Sequence, residues 1–376
     1  MQVYDVAVVG AGPAGAAAAM RALQLRPDAR VVLLDAAAFP RDKTCGDGVA
    51  AHVLDLLAAL GAPEVADLAP EVPRLRLRSP GGRVVARRCA RPNRVIPRVE
   101  FDAALVAAAV RRGAELRRHR VRRLAVHADR VEVDDALAAR VVVGADGANS
   151  MVRRLLGAPP APDAATAVAI RGYAGTTVDP DALVIEFARR RHLSYAWSFP
   201  LRDGGANVGY GVFHRHGAGT RRDLLAALAE LLPGHEPDPS TLRAHHLPLS
   251  TGPRFHPDGR VLLAGDAAGL VNPLTGEGIF DAVASGVLAG RAALLGEAAG
   301  AAHRRAVEHT FGRHHRHTGA LARLMSNARF VDAAVAAAHR HAAVFDAAVD
   351  LGLGRGTAPL GALARVAVSY ATGGRV

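Results

Sequence analysis

The feature that most constrains this chain is a glycine-rich turn, G-A-G-P-A-G, carrying Gly10, Gly12, Ala14 and Gly15. Before it, residues 3–9 (VYDVAVV) form a short, nearly continuous apolar run, the pattern of a strand buried on both faces. After it, residues 16–24 are small and helix-forming, and residues 30–34 make a second apolar run, so the three read as a βαβ unit. In such a unit the first glycine permits a tight turn, the second lets backbone approach a diphosphate, and the third lets the helix pack closely on the strand. The helix N-terminus then faces the anion. Asp35, twenty residues beyond Gly15, ends the second run, where a carboxylate accepts hydrogen bonds from adenosine ribose hydroxyls. The turn therefore predicts a dinucleotide site without saying which dinucleotide.

Two distant segments narrow the choice. Residues 141–150 read VVVGADGANS and residues 261–278 read VLLAGDAAGLVNPLTGEG. Each is an apolar strand ending in an acid, Asp146 with Gly147 and then Asp266, at the sheet edge where ligands of such folds bind. Asp266 is expected to hold a ribityl or phosphate-linked hydroxyl. Gly276 and Gly278 are expected to set backbone N–H groups against a flavin's pyrimidine edge, stabilising the negative charge of reduction, with Pro273 stiffening the loop. Together the three segments predict FAD.

The predicted fold is α/β: a Rossmann-like FAD-binding domain with an inserted antiparallel-sheet (α+β) substrate domain and a helical C-terminal tail. The expected pieces are 1–67, 98–160 and 254–301 for the first domain, 68–97 and 161–253 for the second, and 302–376 for the tail. Residues 49–60 space Val53, Leu56, Leu57 and Leu60 on one helical face before Gly61. Residues 68–97 alternate as a hairpin, 101–112 are helical up to Gly113, 121–133 suggest two short strands, and 278–295 a long helix of small residues.

Beyond these segments the chain contains F-P-R-D-K-T-C-G-D-G (39–48), R-x-x-F-D from Arg98, Y-A-W-S-F-P (195–200) and P-L-T-G-E-G-I (273–279). With the opening glycines and G-A-D-G-A-N-S, these resemble the geranylgeranyl reductase family, within the para-hydroxybenzoate hydroxylase group of flavoproteins, over most of residues 1–295. The resemblance implies that Ile279 adjoins the cofactor, that Arg98 contacts its diphosphate or ribose, and that Gly46 and Cys45 lie beside flavin and substrate. It further implies an isoprenoid or comparable hydrophobic substrate, a prenyl lipid included.

Cys45 lies in a loop carrying Arg41, Asp42, Lys43 and Asp47, whose basic members would lower the thiol's pKa toward thiolate, and an inert buried cysteine is the alternative. Tyr195, Trp197 and Phe199 alternate, so on a strand they share a face and wall either a pocket or a core. Histidines 303, 309, 314, 315 and 317 have no common ligand spacing or carboxylate partners, and a solvated helical face is expected for them rather than a metal. Neither a G-x-S-x-G elbow nor a Walker loop is present.

The charge of +12 comes from 47 basic against 35 acidic residues, but only Lys43 is a lysine and the arginines are scattered. Aromatics are too few to stack bases, so nucleic acid is not expected as a partner. Two cysteines suit a reducing cytoplasm. The N-terminal run lacks a leading basic region and reads as a strand rather than a signal, and no uncharged run of about 18 residues suggests a spanning helix. The tail, with apolar and basic faces at 330–349 and 360–368, is expected either to complete the substrate cavity or to touch the inner membrane face peripherally.

Three functions stay open at this stage: an FAD-dependent reductase of prenyl double bonds, a monooxygenase or epoxidase on a terpenoid or aromatic, and an electron-transfer module without its own organic substrate. A halogenase ranks behind them, because Tyr195 and Phe199 depart from W-x-W-x-I-P. No second dinucleotide fingerprint exists, so electrons are expected from NAD(P)H bound transiently or from a ferredoxin-like carrier.

Overall fold

The computed structural model describes residues 2–373; Met1 and residues 374–376, the outer ends of the expected first domain and tail, lie outside the described residues. The chain opens with β1 (Gln2–Val9), α1 (Pro13–Leu25) and β2 (Val31–Asp35), the βαβ unit read from the sequence. A two-residue strand, β3 (Gly48–Val49), and α2 (Ala51–Ala59) lead into the hairpin of β4 (Glu71–Arg78) and β5 (Val84–Val95). The return runs through α3 (Arg98–Arg111), β6 (Glu115–Arg118), β7 (Leu124–Val126), β8 (Val131–Val133), β9 (Leu137–Gly144) and the short α4 (Met151–Leu155). Then come β10 (Thr166–Ala174), β11 (Ala182–Phe187), β12 (Ser194–Pro200), β13 (Ala206–Val212), α5 (Arg221–Leu231) and β14 (Arg243–Pro248). Finally β15 (Val261–Leu263) and α6 (Ile279–Ala293) precede α7 (Ala299–Leu324), α8 (Ala328–Arg340), α9 (Ala342–Leu353) and α10 (Leu360–Ala371).

Two sheets result. The first runs β6-β2-β1-β9-β8-β7, with β15 beside the far half of β9. Pairings among β6, β2, β1, β9 and β15 are parallel, and the central runs of β1, β2, β9 and β15 are covered on both faces, which is why VAVV, VVLL and VVV carry no alternation. β6 had no such signal: ELRR is polar and sits at the sheet edge, joined through Val32–Glu115 to Asp35–Arg118 register. The second sheet runs β14-β10-β13-β12-β11-β4-β5-β3. It is antiparallel except where β11 lies parallel to β4, the seam at which two sequence-distant insertions join. α8 to α10 pack on its β4, β5 and β11 strands through Val331, Val335, Phe345 and Val366 against Leu75, Val85, Val95 and Leu183.

The small residues of α1 and α6 let the two helices touch backbone to backbone. A Cβ on Gly286 would fall 2.2 Å from the Ala14 carbonyl oxygen, and one on Gly290 would fall 2.2 Å from that of Ala18. This contact seats the helix after the glycine-rich turn against α6. Gly290→Ala is expected to destabilise the fold by about 1–3 kcal/mol through overpacking, read as a lower urea midpoint. Gly361→Ala on α10, where the added carbon meets nothing within 4 Å, is expected to leave the midpoint unchanged or raise it.

Candidate functional site

All three dinucleotide segments, the Cys45 loop and the aromatic strand open onto one cavity of about 1100 Å³. Among the candidate residues only Gly15 and Pro273 are absent from its wall. Gly15 faces inward, where a Cβ would meet the Gly10 carbonyl oxygen at 1.8 Å, and so closes the turn. Pro273 is buried behind the loop whose residues 274–279 line the wall.

At one end, Gly10 has φ +100° and its missing side chain would strike the Ala145 carbonyl oxygen at 2.3 Å, so no other residue fits without strain. The N-cap of α1 is Gly12, without a side-chain cap, and the helix's first N–H groups stay available to an anion. Asp35 accepts the Ala11 N–H at 2.9 Å and the Ala37 N–H at 2.9 Å, one on each oxygen, leaving a lone pair on both for hydroxyl donors. These features fit a diphosphate-linked dinucleotide. Asp146 differs: it accepts the Ser150 hydroxyl and the N–H groups of Met151 and Val152, so its carboxylate caps α4 rather than facing outward as a free acceptor.

The 273–279 loop corrects one expectation. The Gly276 N–H donates to the Asn272 carbonyl at 2.8 Å, at φ +67°, and so is spent inside the turn. Gly278 N–H has no partner among the described residues and remains the loop's outward donor. Glu277 accepts the N–H groups of Ile279 and Phe280 at 3.0 and 3.2 Å, capping α6. Tyr195 O–H bonds the Thr275 carbonyl, Thr275 Oγ1 donates to the Gly352 carbonyl at 2.8 Å, and Asn272 Nδ2 donates to the Leu351 carbonyl at 2.8 Å. The loop is thereby clamped between the second sheet and the end of α9.

The Cys45 loop is fixed by a buried carboxylate that the sequence reading passed over. Asp47, fully buried at φ +61°, accepts the Tyr173 hydroxyl and the Asn207 amide, each at 2.8 Å, and the Arg98 N–H at 3.3 Å. Asn207 also donates to the Cys45 carbonyl at 2.8 Å and accepts the Trp197 Nε1–H at 2.9 Å. Burial raises the Asp47 pKa to about 6, with Tyr173 and Asn207 pulling against it. Arg98 forms a bidentate pair with Asp102 at 2.6 and 2.8 Å. Its guanidinium adjoins Cys45, so one arginine links the helix to the thiol loop.

Cys45 itself overturns the thiolate expectation. Sunk in the cavity wall, its thiol is pushed up by desolvation, which outweighs the opposing pull of Arg98 and Lys43. The resting group is a neutral thiol carrying a proton. Lys43 lies 3.9 Å from Asp266, with its pKa lowered by burial and held up by that acid. Its standing as the sole lysine was the available signal.

Tyr195, Trp197 and Phe199 do share the cavity face. Register carries that face across the sheet from Leu77 through Ile185 and Trp197 to Gly209. A Cβ on Gly209 would meet Trp197 Cζ2 at 2.1 Å, so the glycine gives the indole room to lie over its strand. The Gly46 Cα is packed under Trp197 and Phe199, with an added carbon 3.3 Å from each. Cysteine loop and aromatics, separate in sequence, therefore form one wall.

The histidine expectation fails for three of five. His303, His314 and His315 are buried, with His303 Nε2 bonded to the Leu263 carbonyl at 2.8 Å and His314 Nδ1 to the Gly356 carbonyl at 2.7 Å. His309 is exposed, and half-buried His317 accepts the Ala358 N–H at 3.0 Å. α7 is buried on one side by β15 and the tail, which a composition of mixed His and Arg disguises.

Compared with known proteins, residues 3–306 match the family model described as FAD binding domain. Digeranylgeranylglycerophospholipid reductase 1 of Methanopyrus kandleri is 33% identical over 316 residues, covering 77% of this chain and 80% of that protein. The menaquinone reductase of Mycolicibacterium smegmatis is 32% identical over 308 residues, 76% of this chain and 75% of that protein. The chain belongs to the geranylgeranyl reductase family of FAD-binding oxidoreductases. Its fold matches the crystal structure of a geranylgeranyl bacteriochlorophyll reductase-like protein from Thermoplasma acidophilum with a TM-score of 0.81, at 20% identity, over 93% of this chain and 96% of that one. It is thus an FAD-dependent enzyme of the oxidoreductase class.

Burial raises the Glu277 pKa from 4.5 to about 8, against the hydrogen bonds of Phe280 and Ile279. The folded state thus holds a proton that the unfolded state releases, so this group's stabilisation is complete below pH 4.5 and is lost as pH rises through about 8. Asp47 acts in the same direction between 3.8 and about 6. The ligand-free protein is expected to lose stability between pH 5 and about 8. Glu277→Gln, which keeps a capping acceptor, is expected to flatten the upper part of that slope in urea titrations at fixed pH. An unchanged slope would contradict the assignment.

Proposed function

We propose that this enzyme reduces carbon–carbon double bonds of a prenyl chain on a lipid or quinone. The observation that carries the reading is the cavity's second arm. From Cys45 and Tyr195 the wall continues over Leu75, Leu77, Leu183 and Ile185 of the sheet and is roofed by Val335, Ala338, Val349 and Val366 of the tail helices. So extensive an aliphatic lining suits a flexible chain, whereas a compact aromatic ring needs a smaller pocket with polar anchors. The names of the two relatives support it, since a digeranylgeranylglycerophospholipid and a menaquinone share an unsaturated prenyl chain.

FAD, when bound, supplies the hydride. We assign Gly12 and the α1 N-terminus to its diphosphate, Asp35 to its adenosine ribose, Asp266 to a hydroxyl on the ribityl side, and the Gly278 N–H with Ile279 to the flavin's pyrimidine edge. An isolated alkene accepts hydride only if a proton reaches the other carbon, and the Cys45 Sγ, held neutral by burial, is the assigned donor. The aliphatic walls exclude water. Electrons come from NAD(P)H docking transiently or from a ferredoxin-like carrier. Leu360, 84% exposed, and Val368 stand on α10 beside the wall residues Leu363 and Val366, which supports entry of the chain from a membrane surface. No helix among the described residues is long and apolar enough to cross a membrane.

The test is anaerobic. Dithionite-reduced enzyme with a geranylgeranyl lipid is expected to yield products heavier by two hydrogens per bond reduced, with Cys45→Ala slower by about 10²-fold or more. A product that needs oxygen and carries one added oxygen atom would establish the monooxygenase instead. Ala338→Phe is expected to shorten the accepted chain while sparing FAD binding, read by the visible absorbance of the bound flavin.

A further inference from the structure

The last carbonyls of a helix have no partner within it and must find donors elsewhere. At the end of α9 two of them find side chains of the loop that precedes α6. Asn272 Nδ2 donates to the Leu351 carbonyl and Thr275 Oγ1 to the Gly352 carbonyl, each at 2.8 Å. The approach is close, since a Cβ on Gly352 would stand 3.1 Å from Thr275 Cγ2. The neighbouring Asp350 carbonyl is met within its own turn, by the N–H groups of Gly354 at 3.2 Å and Gly356 at 2.9 Å. The flavin-side loop is therefore the cap of a tail helix.

The same two residues govern the peptide between Glu277 and Gly278. Its carbonyl accepts the Asn272 N–H at 2.9 Å, and the N–H of Glu277 donates to Thr275 Oγ1 at 3.3 Å. A trans peptide is planar, with C=O and N–H on opposite sides, so tying this carbonyl inward to Asn272 turns the Gly278 N–H outward. Asn272, 2% exposed, is held on every side-chain atom: Oδ1 accepts the Leu274 N–H at 2.9 Å, and Nδ2 also lies 3.4 Å from Nε2 of His314. His314 Nδ1 faces the Gly356 carbonyl at 2.7 Å, and a carbonyl only accepts, so Nδ1 carries the hydrogen and Nε2 is free to accept from Asn272. A buried network with all its members satisfied is rigid. Thr275 is gripped from the sheet side as well, its carbonyl accepting the Tyr195 O–H.

We propose that Asn272 and Thr275 are positioning residues: by capping α9 they fix the Glu277–Gly278 peptide, and with it the N–H that faces the flavin's pyrimidine edge. The proposal rests on that N–H facing the flavin, and not on which substrate is reduced beside it. Negative charge collects at this edge when the flavin is reduced, so a donor already fixed there favours the reduced form over the oxidised one. The Thr275 hydroxyl acts through Glu277 and Gly278 and touches no reacting atom. Because α9 also lines the aliphatic arm through Val349 and Leu351, one helix end serves both the wall that receives the chain and the donor that tunes the flavin.

The experiment uses FAD-loaded protein without oxygen or prenyl substrate, reduced slowly by xanthine and xanthine oxidase against a reference dye. At the dye ratio that holds the wild-type flavin half-reduced, Thr275→Val is expected to lower the ratio of reduced to oxidised flavin about tenfold, the scale of a weakened hydrogen bond to a charged group. Thr275→Ser, which keeps the hydroxyl, is expected to restore it, and Thr275→Ala takes the place of the valine variant should that fail to fold. A wild-type ratio in Thr275→Val, even with a lowered urea midpoint, would overturn the positioning role, as would a serine variant that stays low. Gly278→Ala, tolerated at φ −135°, adds a methyl group beside Asp266 and is expected to shift the visible bands of the bound flavin. Unmoved bands would remove the flavin contact and the proposal with it, whereas shifted bands with an unmoved Thr275→Val ratio would overturn the positioning role alone. Because no alkene is present, failure of the prenyl-reductase reading leaves these measurements intact.

Discussion

The site depends on the carboxylate of Asp47. A loop carrying Cys45 has no regular hydrogen-bonding of its own, and it is held because one fully buried acid collects donors from three elements: Tyr173 on β10, Asn207 on β13 and the first N–H of α3. A buried acid without partners would be costly, and one with three is a rigid tie. Through Asn207 the same node sets the Trp197 indole and the Cys45 carbonyl. Thiol position and aromatic wall are both tied to one desolvated group.

Burial also decides the electrostatics. In the sequence the expectation of a lowered Cys45 pKa rests on two neighbouring bases, Arg41 and Lys43, although two acids, Asp42 and Asp47, lie as near. In the fold the loop is sunk among protein atoms, and loss of water costs the thiolate more than Arg98 and Lys43 return. The same desolvation raises Asp47, Glu277 and Asp281 and lowers the buried histidines. Around the cavity, burial thus sets the protonation of these groups against what a net charge of +12 would suggest.

The two arms of the cavity are built differently. The dinucleotide arm is made of turns and strand ends whose geometry is local, with glycines at Gly10 and Gly12 where backbone must be bare. The aliphatic arm is made where β4 and β11, more than a hundred residues apart in the chain, pair in parallel and receive the tail helices on one face. Loop 273–279 connects them, bonded on one side to Tyr195 and on the other to Gly352.

What the sequence determined by itself follows this division. Periodicity and glycine spacing are local, so the βαβ unit, the later strands ending in Asp146 and Asp266, the hairpin and the shared face of Tyr195, Trp197 and Phe199 were all legible. The tertiary structure alone decided which groups lose water and which spend their hydrogen bonds nearby. It turned Gly276 inward, set Asp146 to capping α4, buried His303, His314 and His315, and kept Cys45 a thiol. Desolvation and hydrogen-bond competition depend on atoms brought from distant parts of the chain, and no spacing rule along the chain contains them.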